Sequence, residues 1–230
     1  MIEELSASLK DFQAKEVPVV IISTFGAPKV WSSGHDIKEL PGVKEDPLSY
    51  DDPLERLLRQ VQHYPGAVIA RVHGSVFGGA CDLVMTCDLV IGDESAAFAI
   101  TPVKLGLPYN ATGVMHFMNR LGLNVAKEMF FTADPVDATR ALQIGILNHL
   151  VESSELENFT RALGLKIASR SALGVAVIKE QFRLLAGAHA LSPDTFERIQ
   201  GLRRRVYRSQ DYQEGIAAFV EKRSPKFVGK

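Results

Sequence analysis

Two adjacent glycines, Gly78 and Gly79, stand at the predicted start of a helix in the segment VHGSVFGGACDLVMTCD. The apolar residues that follow recur at helical spacing: Ala80, Leu83, Val84 and Cys87. Glycine lets a ligand approach the backbone closely, and the first N–H groups of a helix have no partner inside it. Such a turn suits a negatively charged oxygen. The alternative is that the glycines only allow the helix to pack tightly on a strand.

A second predicted helix start lies upstream, at Ser33-Gly34-His35-Asp36. It belongs to the segment FGAPKVWSSGHDIKEL, which is predicted to be a loop followed by a short helix from about Asp36. The two helix starts each follow a predicted strand, and each offers outward-pointing backbone N–H groups. If these groups converge, they form an oxyanion hole, which stabilises the charge that develops on a carbonyl oxygen.

The composition is that of a globular protein without a dominant charge. Of 230 residues, 46% are apolar and 23% are charged, and 26 basic and 27 acidic residues give a net charge of -1. This balance provides no broad field for nucleic acid or for an anionic membrane. Cys81 and Cys87 lack CxxC spacing and a nearby histidine cluster, so neither a metal site nor a disulfide framework is expected.

No apolar run approaches the roughly 20 residues of a membrane span. The first residues, MIEELSASLKDF, lack the basic start and the apolar centre of a signal peptide. These features predict a cytoplasmic protein that partners neither membrane nor nucleic acid.

Short apolar strands are predicted to alternate with helices in the first part of the chain. Residues 1–14 carry an amphipathic stripe, and VPVVIIS (17–23) is apolar on both faces, as in a strand covered on each side. Asp52 is predicted to cap a helix that has Pro53 at its first position. Further strands are predicted at 68–72, 88–92 and 97–101. This order indicates a repeating β/α arrangement.

The remainder of the chain is predicted to be mainly helical. Asn124 and Asp137 are expected to cap two helices, and a short strand is expected at 148–151. The connection TPVKLGLPYNATG is rich in turns and holds Tyr109 behind a proline. Longer amphipathic helices are predicted near 153–169, 171–188, 192–208 and 211–222.

Four segments together resemble the crotonase, or enoyl-CoA hydratase/isomerase, superfamily: WSSGHDIKEL, GSVFGGACDLVMTCD, DPVDATRALQIGILNHLV and EGIAAFVEKRSPKF. The resemblance covers essentially the whole chain. It implies an α/β fold, a spiral of ββα units over residues 1–152 and a helical region at 153–230. The helical region would form a homotrimer, commonly a dimer of trimers, and would help to close the CoA site.

The resemblance also implies a site for acyl-CoA thioesters, whose enolates the family stabilises. The oxyanion hole would be the N–H groups of His35 and Gly79, and the CoA arm would lie along Ser33, Gly34, His35, Asp36 and Ile37. Phe219 and Lys222 would close on the nucleotide end from a neighbouring subunit. No metal or cofactor is implied, since CoA is part of the substrate.

Two departures from the family pattern bear on the reaction. Hydratases of this family add water with two glutamates, but the corresponding positions here hold Asp82 and Pro102. Decarboxylation of a malonyl-type thioester needs no such pair, only an oxyanion hole for the enolate. The segments PVKLGLPYN and FERIQGLRRRVY are most similar to the branch of the family that decarboxylates methylmalonyl-CoA. The resemblance thus implies an acyl-CoA decarboxylase that forms propionyl-CoA and CO2.

Tyr109 is the candidate that orients the departing carboxylate, Thr101 adds a hydroxyl contact, and the His35 side chain assists. Two other hypotheses stay open: a hydratase or isomerase that uses Asp82, and a catalytically impaired fragment that only binds acyl-CoA. Asp82 is alternatively a capping or pairing residue. The other histidines are interpreted as structural: His63, His73, His116, His149 and His189.

The resemblance also implies a difference at the N-terminus. Relatives carry roughly thirty further residues, with two strands, before the helix that opens this chain, so a sheet edge would be exposed here. The expectation is that the 230-residue chain expresses poorly or aggregates. A sharp cooperative melt of the purified protein would contradict it.

Overall fold

The computed structural model describes residues 1–36, 50–187 and 192–229, which form an α/β fold. The helices in these ranges are α1 (Ile2–Ala14), α2 (Pro53–His63), α3 (Gly79–Thr86), α4 (Ala111–Arg120), α5 (Leu123–Thr132), α6 (Ala138–Gln143), α7 (Leu156–Ala168), α8 (Ala172–Ala186), α9 (Pro193–Tyr207) and α10 (Gln210–Val220). The strands are β1 (Val19–Ile22), β2 (Val30–Ser32), β3 (Ala67–Val72), β4 (Ser75–Phe77), β5 (Leu89–Gly92), β6 (Ala97–Ala99), β7 (Val136–Asp137) and β8 (His149–Leu150). A 3-10 turn spans Pro102–Leu105.

The first six strands alternate between two four-stranded sheets. The first sheet has the order β1-β3-β5-β8 and is parallel throughout. The second sheet has the order β2-β4-β6-β7, and there β7 alone pairs antiparallel. Each of the pairs β1-β2, β3-β4 and β5-β6 therefore sends one strand to each sheet. This is the ββα spiral that the resemblance implied.

Helix α3 lies in the main core and contacts α2, α4 and β4. Its apolar side chains are buried: Ala80, Cys81, Leu83, Val84 and Met85. Helix α2 buries Leu57, Leu58 and Val61 in the same core. Asp52 Oδ1 accepts a hydrogen bond from the Leu54 N–H at 2.8 Å, which confirms the predicted cap and fixes the start of α2.

The first sheet is covered by α7 on the face opposite the main core. Ile69 of β3 and Ile91 of β5 are fully buried there, in a cluster with Leu156. Strand β1 is different, because Ile21 is 38% exposed. The prediction that 17–23 is covered on both faces is wrong at this residue: β1 ends the strand order, so it has a neighbouring strand on one side only.

Two strands of the second sheet fall in segments that were expected to be loop or turn. β2 lies in the predicted loop before Gly34, and β4 lies between Gly74 and Gly78. Each has only three residues, too few to show an alternating pattern. Asn124 is not a cap, since α5 begins at Leu123 with Gly122 before it.

Helix α8 differs from the other helices because none of its residues is buried. Lys179 attaches it to the core: its Nζ donates to the carbonyl oxygens of Val61 and Gly66 at 3.1 Å and pairs with Asp88 at 2.7 Å. Several apolar side chains of α8 are exposed: Leu173, Ile178, Phe182 and Leu185.

None of the helices within the described ranges is long and apolar enough to span a membrane. The same ranges contain no group of three or more His, Cys, Asp or Glu side chains arranged to hold a metal ion. Cys81 and Cys87 are both free and buried.

Asp93 is a fully buried carboxylate beyond the end of β5. It accepts hydrogen bonds from the side chains of His73, Ser95 and Ser153. Burial alone would raise its pKa, but these hydrogen bonds outweigh burial and hold the pKa of Asp93 below its usual value. The lower pKa in the folded state stabilises the fold above about pH 4, and this contribution is lost as the pH falls further.

We expect Asp93→Asn to lower the free energy of unfolding by about 2–3 kcal/mol at pH 7, because an amide cannot accept from all these donors. Urea unfolding at pH 7 and at lower pH would test this. The difference between the two proteins should shrink as the pH falls below about 4, because wild-type Asp93 then becomes protonated, first in the unfolded state and at lower pH in the folded state. A difference that does not change with pH would contradict this role of the charge.

Candidate active site

The turn between β4 and α3 is built around Gly78, whose backbone φ is +53°. Its N–H donates to the Ala99 carbonyl at 2.9 Å, which ties the turn to β6. Helix α3 then begins at Gly79 without a side-chain cap. The Gly79 N–H therefore stands at a helix start, where the helix itself supplies no acceptor.

The second turn follows β2 and lies against the first. Gly34 has φ +86°, and a Cβ built there would lie 2.6 Å from the Phe77 carbonyl oxygen and 3.0 Å from the Gly79 nitrogen. A Cβ built on Gly79 would lie 3.9 Å from the His35 nitrogen. The structure thus brings together the two backbone N–H groups that were predicted to form an oxyanion hole. Glycine is required at Gly34 by both the backbone angle and the space.

Thr101, two residues after the end of β6, borders the same turn. Its Oγ1 is 3.7 Å from the position that a Cβ on Gly78 would occupy. The next residue, Pro102, opens the 3-10 turn and lines an apolar cavity of about 450 Å³ with Ile100, Tyr109 and Phe130. We call this the front cavity. It has room for a short acyl group.

Tyr109 is held at the wall of the front cavity by contacts on two sides. Its ring packs edge to face on Phe130, with centroids 5.3 Å apart. Its hydroxyl donates to Asp82 Oδ2 at 3.1 Å. Asp82 is three residues after Gly79 on α3, or roughly one helical turn, so the phenol lies close to the glycine turn. Burial, followed by the charge of Asp82, raises the pKa of Tyr109 well above 10.

Asp82 is almost fully buried, and both of its carboxylate oxygens are engaged. Oδ1 pairs with His116 Nδ1 of α4 at 2.7 Å, while Oδ2 accepts from Tyr109. On the other side of the imidazole, Gln62 Nε2 is 2.8 Å from His116 Nε2. This arrangement fits a neutral histidine that donates from Nδ1 and accepts at Nε2. The interpretation of Asp82 as a pairing residue is therefore confirmed.

A second buried carboxylate, Glu55 of α2, lies beside this network. It accepts a hydrogen bond from the Asn110 side chain, whose oxygen in turn accepts from the Gly113 N–H and caps α4. Burial raises the pKa of Glu55, and the charge of Asp82 raises it further, while the Asn110 hydrogen bond lowers it. Asn110 thus connects the start of α4 to Glu55 of α2.

Gly113 provides the space in which Tyr109 lies. A Cβ on Gly113 would overlap the Tyr109 ring and approach Asn110 Oδ1 to 2.6 Å. We expect Gly113→Ala to destabilise the fold by about 1–3 kcal/mol despite the better helix propensity of alanine, because the added methyl overfills the core. Thermal unfolding would measure the change. A protein at least as stable as wild type would show that Tyr109 is free to move.

The remaining predicted residues divide into two groups. Ser33 and Asp36 flank the Gly34-His35 turn, whereas Ile37 and His189 lie outside the described residues.

Phe219 is 51% exposed at the end of α10, and Lys222 follows that helix with φ +54°. Helix α10 packs through Gly215 on Leu105, so it reaches the 3-10 turn after Thr101. Closure over CoA by Phe219 and Lys222 stays a prediction.

Sequence reasoning missed His116, Gln62 and Glu55 as part of this site. Asp82 and His116 are 34 residues apart, and Glu55 and Asn110 are 55 residues apart. Neither pair has a local signature. One usable signal was Asn110, a capping residue type three positions before Gly113.

The profile of the enoyl-CoA hydratase/isomerase family matches residues 1–230. Methylmalonyl-CoA decarboxylase of Escherichia coli K12 is 48% identical over 228 residues, which are 99% of this chain and 87% of that protein. The human mitochondrial enoyl-CoA hydratase domain-containing protein 3 is 34% identical, with coverage of 94% of this chain and 71% of that protein.

Solved structures agree with these relatives. A methylmalonyl-CoA decarboxylase in complex with 2-nitronate-propionyl-CoA superposes with a TM-score of 0.97 at 48% identity, covering 100% of this chain and 88% of the other. A methylmalonyl-CoA decarboxylase in complex with 2S-carboxypropyl-CoA gives the same TM-score, identity and coverage. The EchA1_1 structure from Mycobacterium paratuberculosis has a TM-score of 0.78 at 27% identity, covering 98% of this chain and 87% of the other.

Proposed function

The chain belongs to the enoyl-CoA hydratase/isomerase family, and from this premise we propose that it decarboxylates methylmalonyl-CoA to propionyl-CoA and CO2. The observation that carries the proposal is the 48% identity to a methylmalonyl-CoA decarboxylase over 99% of the chain. The site supports it: the His35 and Gly79 nitrogens are adjacent, while Pro102 and the doubly engaged Asp82 occupy the positions of the hydratase glutamates.

The reaction breaks the bond between the α-carbon and the carboxylate. Its electron pair moves into the thioester, CO2 leaves, and an enolate forms whose oxygen carries the charge. The N–H groups of His35 and Gly79 stabilise that oxygen more strongly in the transition state than in the substrate, because the charge is then larger. The thioester carbonyl is itself the electron sink, so the reaction requires no cofactor besides the CoA of the substrate.

The front cavity accounts for the choice of a short acyl group. Its lining by Ile100, Pro102 and Phe130 removes water from the carboxylate that departs, which favours conversion of a charged group into neutral CO2. Tyr109 holds that carboxylate out of the thioester plane through its hydroxyl, and Thr101 contributes a second hydroxyl. The His35 side chain assists at the same carboxylate.

The CoA arm is proposed to lie along residues 33–37, with Phe219 and Lys222 of a neighbouring subunit at its nucleotide end. A homotrimer or dimer of trimers in the cytoplasm is part of this proposal. Its support is the apolar side chains that α8 exposes, among them Leu173 at 75% and Leu185 at 72%. Lys222 supplies the positive charge that a phosphate requires.

The direct experiment incubates the purified 230-residue chain with methylmalonyl-CoA and follows propionyl-CoA by mass spectrometry and CO2 by gas release. We expect equal amounts of both products. A parallel assay measures the hydration of crotonyl-CoA. The variant Asp82→Asn then tests whether any hydration requires the Asp82 carboxylate. If crotonyl-CoA is hydrated by the wild type but not by Asp82→Asn, and no CO2 is released from methylmalonyl-CoA, the protein is a hydratase and the proposal is wrong. Thermal stabilisation by CoA without either activity would identify an acyl-CoA-binding protein.

A further inference from the structure

The proposed decarboxylation consumes one proton for each CO2 released, because the enolate carbon must be protonated to give the propionyl thioester. The front cavity is apolar, so water is a poor source of this proton there. Tyr109 and Lys127 are the polar side chains among its lining residues, and of these two the Tyr109 hydroxyl donates to Asp82. Any proton that Tyr109 gives to the enolate has to be replaced through Asp82.

Asp82 connects Tyr109 to a second cavity, which is lined by Thr86 at the C-terminal end of α3. His116 pairs with Asp82 at 2.7 Å and lines this rear cavity of about 640 Å³ together with Gln62 and Thr86. The rear cavity is also lined by Phe182, whose side chain is 71% exposed, so it opens onto the surface of the chain. A continuous series of hydrogen bonds therefore joins the two cavities.

A substrate carboxylate disturbs this series at Tyr109. The phenol has one proton, so when its O–H turns to the substrate it can no longer donate to Asp82. Two oxygens would then face each other at 3.1 Å with no proton between them. The conflict disappears if Asp82 takes a proton and donates to the Tyr109 oxygen. Binding of the carboxylate thus favours uptake of one proton by the network.

His116 is the group through which that proton can enter. Its Nδ1 proton passes to Asp82 while its Nε2 accepts a proton from water in the rear cavity. Gln62 lies 2.8 Å from Nε2 and suits both states, since its amide can present either the NH2 group or the oxygen. Thr86 Oγ1, 3.3 Å from Nδ1, lies beside the same pair.

We propose that Tyr109, Asp82 and His116 form a proton relay that is loaded from the rear cavity when a carboxylated substrate binds. After CO2 has left, the Tyr109 hydroxyl gives its proton to the enolate carbon, and the Asp82 proton moves to the Tyr109 oxygen. The His116 Nε2 proton then returns to water in the rear cavity while Nδ1 receives one through Thr86 Oγ1, which lines the same cavity, so the resting tautomer is restored with no net gain or loss of a proton. One proton enters and one is consumed, so the relay balances the reaction. The relay rests on the proposed function.

Other ionisable groups face Asp82 from the elements around it. Glu55 of α2 and Cys81 of α3 interact with it electrostatically, and Tyr109 and His116 bind it directly. Among these four, His116 is the one that borders the rear cavity. Its removal should therefore prevent loading and leave the remainder of the network in place.

Calorimetry with inert ligands measures the loading directly. Binding enthalpies of 2-carboxypropyl-CoA and of propyl-CoA are measured in buffers of different ionisation enthalpy, which gives the protons taken up with each ligand. In the wild type, the carboxylated ligand should take up about one proton more than propyl-CoA, by linkage. In His116→Gln the difference should vanish. In the control His63→Gln, on the exposed side of α2, it should persist.

Turnover provides an independent measurement on the same proteins. In His116→Gln, kcat for methylmalonyl-CoA should fall by about 10²-fold, which is within the usual contribution of general acid–base catalysis. KM should change little. Gln62→Met keeps the Asp82–His116 pair and should lower kcat in the same direction, which covers the case in which His116→Gln does not fold. Equal proton uptake from the two ligands in the wild type, or uptake that persists in His116→Gln, would overturn the relay. Absence of CO2 from the wild type would instead overturn the proposed function.

Discussion

Replacement of Gly34 by alanine should lower kcat/KM for decarboxylation by about 10²–10³-fold, the loss typical of a missing oxyanion-hole donor. Gly34 has φ +86°, and the added Cβ would lie 2.6 Å from the Phe77 carbonyl oxygen and 3.0 Å from the Gly79 nitrogen. Backbone atoms cannot move aside as a flexible side chain can. The two turns must therefore separate, and both N–H donors shift from the position of the enolate oxygen.

The effect should fall on the chemical step. Steady-state kinetics with methylmalonyl-CoA would show it in kcat, while binding of 2-carboxypropyl-CoA should change less, because the enolate charge is not present in that ligand. Gly26→Ala is the matched control. Gly26 also has a positive φ, +71°, but a Cβ there would meet no atom within 4 Å. The Gly26→Ala substitution therefore has a similar cost in backbone conformational energy, but its new Cβ collides with no neighbouring atom.

If Gly26→Ala lost as much activity as Gly34→Ala, the loss would come from general destabilisation. If Gly34→Ala kept wild-type kcat/KM, the two N–H groups would not form the oxyanion hole. Thermal unfolding of both variants separates these cases from simple misfolding. A positive φ penalises alanine by about 1 kcal/mol in each variant, so similar melting temperatures are expected if the collision is relieved locally.

The glycine turns could be predicted because their signals are local. Gly34 and Gly78-Gly79 each follow a strand and open a predicted helix, and the structure brings His35 and Gly79 together. The caps Asp52 and Asp137 were predicted for the same reason, since a capping residue and its helix are neighbours in sequence.

Two strands of the second sheet, β2 and β4, could not be predicted in the same way, although β6 lies within the strand predicted at 97–101. β2 and β4 have three residues each and are flanked by glycine and serine, so they resemble turns. Their stability comes from partners elsewhere in the chain. β4 pairs with β2 and β6, and Trp31 of β2 donates its indole N–H to the Arg71 carbonyl at 3.0 Å. Tertiary contacts of this kind leave no periodic pattern in the sequence.

The buried polar network was the least accessible part of the site. The resemblance suggested Tyr109, but the partner of its hydroxyl is a residue 27 positions earlier, Asp82. His116 is one of six histidines scattered singly along the chain. Its pairing with Asp82 depends on how α4 packs on α3, which the sequence does not encode as a motif.

Tyr109→Phe tests the proposed role of the phenol at the departing carboxylate. We expect kcat for methylmalonyl-CoA to fall by about 10²-fold, within the range for a positioned acid or base. The affinity for CoA ligands should change little. Phenylalanine keeps the ring packed on Phe130, where the centroids are 5.3 Å apart, so the front cavity retains its shape. The hydroxyl alone is lost, and with it the contact to Asp82.

The control is Tyr64→Phe, which also removes one buried hydroxyl. Tyr64 donates to the Val17 carbonyl at 2.7 Å and has no place in the site, so its loss should affect stability rather than kcat. Stopped-flow mixing with limiting substrate would give the rate of CO2 formation without the contribution of product release. Equal decarboxylation rates for Tyr109→Phe and wild type would remove Tyr109 from the mechanism. A fall in CoA affinity with unchanged kcat would instead make Tyr109 a binding residue, because an interaction that acts on the transition state must appear in kcat.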